Sequence, residues 1–440
     1  MQRKSVTFFE HNQKLCLLTK EGNGMKKEIK RFDFKKPPKN PNFFWRNLVR
    51  IVCQFGLLFK KYEIRKHNME GLKDQPYILL SNHSSMVDFM IAQLAVYPAR
   101  LNNVASIEAF HDYTEWLFRN LGCIGKRKFI KDLQLIKNIR YSLTELKNVF
   151  CIYPEARYSL DGCTSYLPDS LGKMLKLFKV PVVVLNLKGN FVTNPQWNKH
   201  GKNTEIVADM TQIITKEEIE TLSPQEINDK VQEAFIYDDF AWQRDNKVVI
   251  DHKNRADGLH CILYQCPHCK TEHKMNSEGT ELWCEECGKR WYMDEYGVLS
   301  AKEGETEFSH IPDWFKWERA NIREQVRNGT YHVEDDCRID TMPNAWGFKK
   351  QGNGHFVHTS EGMILTGTAY GEPFTLVKTP LEQESIHVEY GYKYGGDVFD
   401  IATADESYWF YPLTARDILT KVSIATEEIY FMHKEKLHNK

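Results

Sequence analysis

The segment Tyr77-Ile-Leu-Leu-Ser81-Asn82-His83-Ser84-Ser85-Met86-Val87-Asp88 constrains this chain more than any other. An apolar run, read as a strand, ends in Asn82-His83, and an aspartate follows five residues after the histidine. Asp88 can accept one ring N–H of His83, fix the tautomer and leave the other nitrogen to take a proton from a hydroxyl. Spacing alone does not establish that chemistry. With 16 histidines in the chain, about one His-x4-Asp is expected by chance. A second one, His252…Asp257, lies in a polar stretch. The first pair also reads as a buried strand-end histidine with Ser85-x-x-Asp88 capping a helix.

Three further blocks supply context. Leu121-Gly122-Cys123-Ile124-Gly125-Lys126-Arg127-Lys128 follows a helical run and ends in three cations. Val149-Phe-Cys-Ile-Tyr153-Pro154-Glu155-Ala156-Arg157-Tyr158-Ser159 is an apolar strand broken by proline and followed by an acid and a base. Lys179-Val180-Pro181-Val182-Val183-Val184-Leu185 is another short buried strand. In order and separation these blocks resemble the glycerolipid acyltransferase family, which includes the 1-acyl-sn-glycerol-3-phosphate acyltransferases. Its motifs are Asn-His-x4-Asp, a glycine-led segment ending in arginine, Phe-Pro-Glu-Gly-Thr-Arg-Ser, and a Val-Pro-rich strand. The resemblance spans roughly Tyr62 to Asp239.

The resemblance implies a fatty acyl group moved from a thioester donor to a lipid hydroxyl in phospholipid biosynthesis. His83 would be the general base and Asp88 its orienting partner, with direct attack on the thioester carbon. Glu155, Arg157, Lys128 and Arg127 would position the acceptor. The implied donor is acyl-coenzyme A or acyl carrier protein, and the acceptor a lysophospholipid such as 1-acylglycerol-3-phosphate. The chain departs from the family at the acceptor residues. Ala156 replaces a glycine, Tyr158 falls where the family has arginine, Arg157 sits one place early, and Lys128 takes an arginine position. A guanidinium fork suits phosphate better than an ammonium, so the phosphate site is rebuilt or absent. The alternative is an inactive acyltransferase core serving as a lipid-binding scaffold.

Strands alternating with helices at 112–121, 132–149 and 172–179 argue for a layered α/β domain over 62–245. On such a fold His83 sits at a strand's carboxyl end. Thr215-x-x-Glu218 and Ser223-Pro-x-Glu226 are helix starts, and the polar stretch 243–258 reads as a linker. Residues 1–67 carry 17 Lys and Arg against 5 Asp and Glu, and the rest 42 against 54. Within this basic segment (1–61), residues 43–59 form a helical pattern with Arg46, Asn47, Arg50 and Gln54 on one face. The other face is aromatic and aliphatic. That pattern suits a helix in the membrane interface, or one docked across the core with a basic rim. No apolar run reaches the roughly 20 residues of a transmembrane helix. Met1–Glu10 lacks the apolar segment of a signal peptide, and 11 cysteines fit a reducing compartment. These features predict a cytoplasmic protein peripherally bound to the inner face of a membrane.

Cys266-Pro-His-Cys269 and Cys284-Glu-Glu-Cys287, fourteen residues apart, have zinc-ribbon spacing, which predicts a structural Zn2+ held by four thiolates within 259–300. Its surroundings are only modestly basic, so no nucleic acid is expected as a partner. A helix is predicted over 311–329. The region 331–440 then turns β-rich, with strands at 355–359, 363–368, 374–379, 386–390, 398–402 and 408–411. A helix at 415–434 closes it. On element order alone this resembles a pleckstrin-homology or GRAM-like fold; a β-sandwich packed on the enzyme is equally open.

Overall fold

The structure is a computed structural model in which residues 29, 31–73, 75–392 and 396–438 are described. Residues 1–28 and 30 of the basic segment expected at the N-terminus lie outside the described residues. Residues 33–318 form one compact unit; residues from Arg319 onward, with Arg31 and Phe32, form another.

The first unit is built on seven strands: β1 (Lys61–His67), β2 (Ile78–Ser81), β3 (Leu101–Ser106), β4 (Cys123–Lys126), β5 (Val149–Ile152), β6 (Val182–Lys188) and β7 (Glu205–Ile214). Their order is β1-β7-β6-β2-β5-β3-β4. Only the β6–β7 pair is antiparallel; every other pairing is parallel. A strand inside such a sheet is covered on both faces and reads as a continuous apolar run. That accounts for β2, where all four residues are buried. Ile78 and Leu80 join a core on one face with Ile139, Leu175, Ile227 and Val231. Leu79 points the other way, to Ile91, Ala92 and Leu57. Each such fully buried aliphatic side chain contributes about 1.5–3 kcal/mol.

The helices run Phe43–Gly56 (α1), Met86–Val96 (α2), His111–Asn120 (α3), Leu133–Thr144 (α4) and Ser170–Phe178 (α5). Each of the last three lies within a few residues of the range the sequence predicts. The chief difference is α4, which stops at Thr144 so that Val149 can enter β5. Both expected helix starts, Thr215/Glu218 and Ser223/Glu226, are capping boxes. The stretch read as a linker is folded instead. Arg255 is buried and donates to the Met293 carbonyl (2.8 Å) and the Tyr292 hydroxyl (2.7 Å).

Helix α1 departs from the docked, basic-rim reading of its amphipathic pattern and turns its apolar face outward. Val49, Cys53 and Leu57, at i, i+4 spacing, face inward. The cations do not form a solvated rim: Arg50 lies 4.8 Å over the Tyr97 ring, and Arg46 donates to the Pro98 carbonyl (3.0 Å). Tyr97 in turn donates its hydroxyl hydrogen to Asn47 Oδ1 (3.2 Å). With the polar side chains anchored to the protein, the aromatic and aliphatic face turns outward. Phe43, Phe44, Ile51, Val52 and Leu58 are exposed there, and Phe55 and Phe59 reach 76% and 85% exposure. No helix among the described residues is long and apolar enough to cross a membrane.

In the second unit seven antiparallel strands (His332–Thr341, Lys349–Thr359, Gly362–Ala369, Glu372–Lys378, His387–Tyr392, Gly396–Ala402 and Ser407–Pro412) form one sheet, with the first pairing the last. The helix Leu419–His438 follows. The strand His332–Thr341 falls outside the expected set because Glu334, Asp335, Asp336, Arg338 and Asp340 disguise it. Its inward positions are Val333, Asp335, Cys337 and Ile339.

Candidate active site

Three segments converge at the carboxyl ends of the adjacent strands β6, β2 and β5, where open α/β sheets place their sites. The segment after β2 carries the histidine. Asn82 closes the strand: its amide donates to the Leu187 carbonyl (2.9 Å) and accepts the Leu187 N–H (2.9 Å). A side chain thus continues the β2–β6 ladder for one more step and fixes where the chain leaves the sheet.

His83 then presents Nδ1 to Asp88 Oδ2 at 2.9 Å. The same carboxylate oxygen accepts the N–H groups of Ser84 (2.6 Å) and Ser85 (3.0 Å), and the Ser85 hydroxyl accepts the Val87 N–H (3.2 Å). Asp88 is therefore both the capping-box acid of α2 and the hydrogen-bond partner of His83. A carboxylate only accepts, so Nδ1 carries the proton and Nε2 has a free lone pair. Asp88 is fully buried while the His83 side chain keeps 23% exposure. The carboxylate is shielded and the imidazole remains partly exposed.

The segment after β6 supplies a residue with no sequence motif. Asn190 donates its amide to Asp88 Oδ1, and its Oδ1 accepts the Ser85 hydroxyl (3.3 Å). Gly189 turns the chain there at φ +78°, and a Cβ would sit 2.4 Å from the Glu205 carbonyl oxygen. Glycine is required at that position.

The segment after β5 braces the histidine backbone. Glu155 accepts the His83 N–H (3.0 Å), the Ser165 N–H (2.7 Å) and the Tyr237 hydroxyl (3.0 Å). Ser159 donates its N–H to the His83 carbonyl (2.9 Å). Glu155 is buried, which outweighs its donors and pushes its carboxyl up to about 7. Both its oxygens are engaged by the chain's own donors. Tyr153 stacks on the His83 ring at 4.2 Å, and Tyr158 leans on it at 4.4 Å, tilted by 53°.

The cations expected at the acceptor are distributed differently. Arg157 is buried and acts electrostatically on Glu155. Arg127 and Lys128 follow β4, which β5 and β3 separate from β2. Arg127 is buried under the Phe34 ring (5.5 Å), and Lys128 Nζ lies 3.9 Å from Glu108.

The four cysteines form a second centre in the same unit. Their sulfurs all lie within 4.8 Å of one another, with Cys266–Cys287 at 3.8 Å and Cys269–Cys284 at 3.7 Å. A tetrahedral site with metal–sulfur bonds of about 2.3 Å has sulfur–sulfur edges of about 3.8 Å. The cluster can therefore hold a metal ion. Two equivalent turns build it, with Lys270 (φ 68°) and Gly288 (φ 75°) in the left-handed region. The Lys270 and Gly288 N–H groups donate to the Cys266 and Cys284 carbonyls, each at 2.9 Å. Short strands at Met275–Glu278, Glu281–Cys284, Arg290–Met293 and Leu299–Ala301 form one sheet beside the cluster.

Residues 63–188 match the family described as Acyltransferase. A similar solved structure is the 1-acyl-sn-glycerophosphate (LPA) acyltransferase PlsC from Thermotoga maritima. It is 17% identical, with a TM-score of 0.36 over 43% of this chain and 76% of that one. No curated protein matches the chain.

Proposed function

We propose that this protein transfers a fatty acyl group from a thioester, acyl-coenzyme A or acyl carrier protein, to a lipid hydroxyl. The observation that carries the reading is the 2.9 Å His83–Asp88 bond, with Asp88 held by three further donors. His83 Nε2 takes the acceptor's hydroxyl proton as the oxygen attacks the thioester carbonyl carbon. The carbon–sulfur bond then breaks, the thiolate leaves with the proton from the imidazolium, and an ester and a free thiol result. Asp88 keeps the tautomer and favours the transient imidazolium. Glu155 serves this step by holding the His83 backbone. The family's acceptor, a lysophospholipid such as 1-acylglycerol-3-phosphate, is the starting expectation for the lipid.

The outward face of α1 supports a peripheral position on a membrane surface, because an apolar stripe of this size is stable in a lipid interface and disfavoured in water. Zn2+ is the ion the four-thiolate shell suits best, in a structural role. Incubation of the purified protein with each labelled donor and a lipid acceptor tests the reading: a labelled ester supports it, and its absence with both donors rejects it.

A further inference from the structure

We infer that the acceptor is an uncharged lipid alcohol, with no phosphate beside the hydroxyl that is acylated. The inference rests on the acyltransferase reading and replaces its starting expectation of a phosphate-bearing acceptor. The residue at the position of the family's arginine is Tyr158, and its ring lies 4.4 Å from the His83 ring. Tyr153 stacks on the same imidazole at 4.2 Å. Phenol rings carry no charge at neutral pH, so neither supplies a cation to pair with a phosphate, and their π faces are negative. The same faces favour the imidazolium that forms during transfer. This surface is suited to a base beside a neutral alcohol.

The cations that would otherwise receive a phosphate are engaged within the chain. Arg157 is buried beside Glu155, Arg127 lies under Phe34, and Lys128 faces Glu108. Recruiting any of them would strip a partner from another group, a side chain that is itself largely buried in the case of Glu155 and Glu108. The outward apolar face of α1 argues that the neutral acceptor is delivered from a lipid phase.

The test compares initial rates of the full chain on mono- and dioleoylglycerol and on 1-oleoylglycerol 3-phosphate. All are presented in phosphatidylcholine vesicles of matched composition, with oleoyl-coenzyme A and oleoyl carrier protein as donors. The expected result is a kcat/KM at least about tenfold higher for a neutral acceptor. Tyr158→Arg shifts the ratio toward the phosphate-bearing acceptor by about tenfold or more, whereas Tyr158→Phe, which keeps the ring, leaves it nearly unchanged. A wild-type preference for the phosphate-bearing acceptor overturns this inference and leaves the acyltransferase reading standing. Transfer to no acceptor from either donor overturns both. If Tyr158→Arg does not fold, the wild-type ratio decides alone.

Discussion

Asn190 and His83 hold opposite oxygens of one carboxylate: the Asn190 amide donates to Asp88 Oδ1, and His83 Nδ1 bonds Oδ2. The orienting acid is fixed from both sides, and the imidazole inherits that rigidity. Asn190→Ala leaves Oδ1 without this donor in a fully buried site. Steady-state kinetics should show kcat reduced by about tenfold or more with KM little changed, since Asn190 acts through Asp88.

Ala156 has φ +55° at the position where the family pattern has glycine. The left-handed conformation costs a Cβ-bearing residue about 1–2 kcal/mol, and glycine's extra freedom in the unfolded chain offsets about 0.4–1 kcal/mol of that. Ala156→Gly should therefore stabilise the protein by roughly 0.5–1 kcal/mol, measured by denaturant unfolding with an unchanged slope.

Burial raises Glu155 and Asp239 to about 7 each. Folding thus favours the protonated form of each carboxyl. The stability this supplies is fully present below the ordinary carboxyl values of 4.5 for Glu155 and 3.8 for Asp239. It is lost as pH rises through about 7. Glu155→Gln should flatten the curve of Tm against pH between about 4.5 and 7; an unaltered slope would remove Glu155 from the account.

Two sulfur–sulfur distances of the four-cysteine cluster, 3.8 and 3.7 Å, match the edges of a metal tetrahedron, so elemental analysis should find about one zinc per chain. Cys284→Ser should lose that metal and lower Tm, because metal binding and local folding are coupled. Retention of full metal content by this variant would mean that the four thiolates are not the ligand set.

Much of the site was legible because its parts are close in sequence. His83, Asp88 and their capping serines occupy one strand–turn–helix, and each cysteine pair occupies one turn. Asn190 was not legible: it meets Asp88 across 102 positions, and only the parallel sheet brings the ends of β6 and β2 together. The helix α1 was legible as an amphipathic helix, but the anchoring of its polar side chains was not, since nothing local says that Tyr97 will collect Arg46, Asn47 and Arg50. The strand His332–Thr341 escaped because Asp335 is an inward-facing acid. Its carboxylate accepts the N–H groups of Leu413 (3.0 Å), Thr414 (3.0 Å) and Ala415 (2.9 Å), a satisfaction that only the fold supplies. Glu155 was expected at the acceptor, yet its carboxylate is taken up in bracing the His83 backbone.

The most direct measurement is acyl transfer by His83→Ala, alongside circular dichroism and metal content. The side chain makes its bond to Asp88 at the site surface, so its removal should leave fold and metal intact. General-base catalysis is worth about 10²–10⁴-fold, and kcat should fall by that range. Near wild-type turnover in a folded His83→Ala protein would contradict the assignment of His83 as the base.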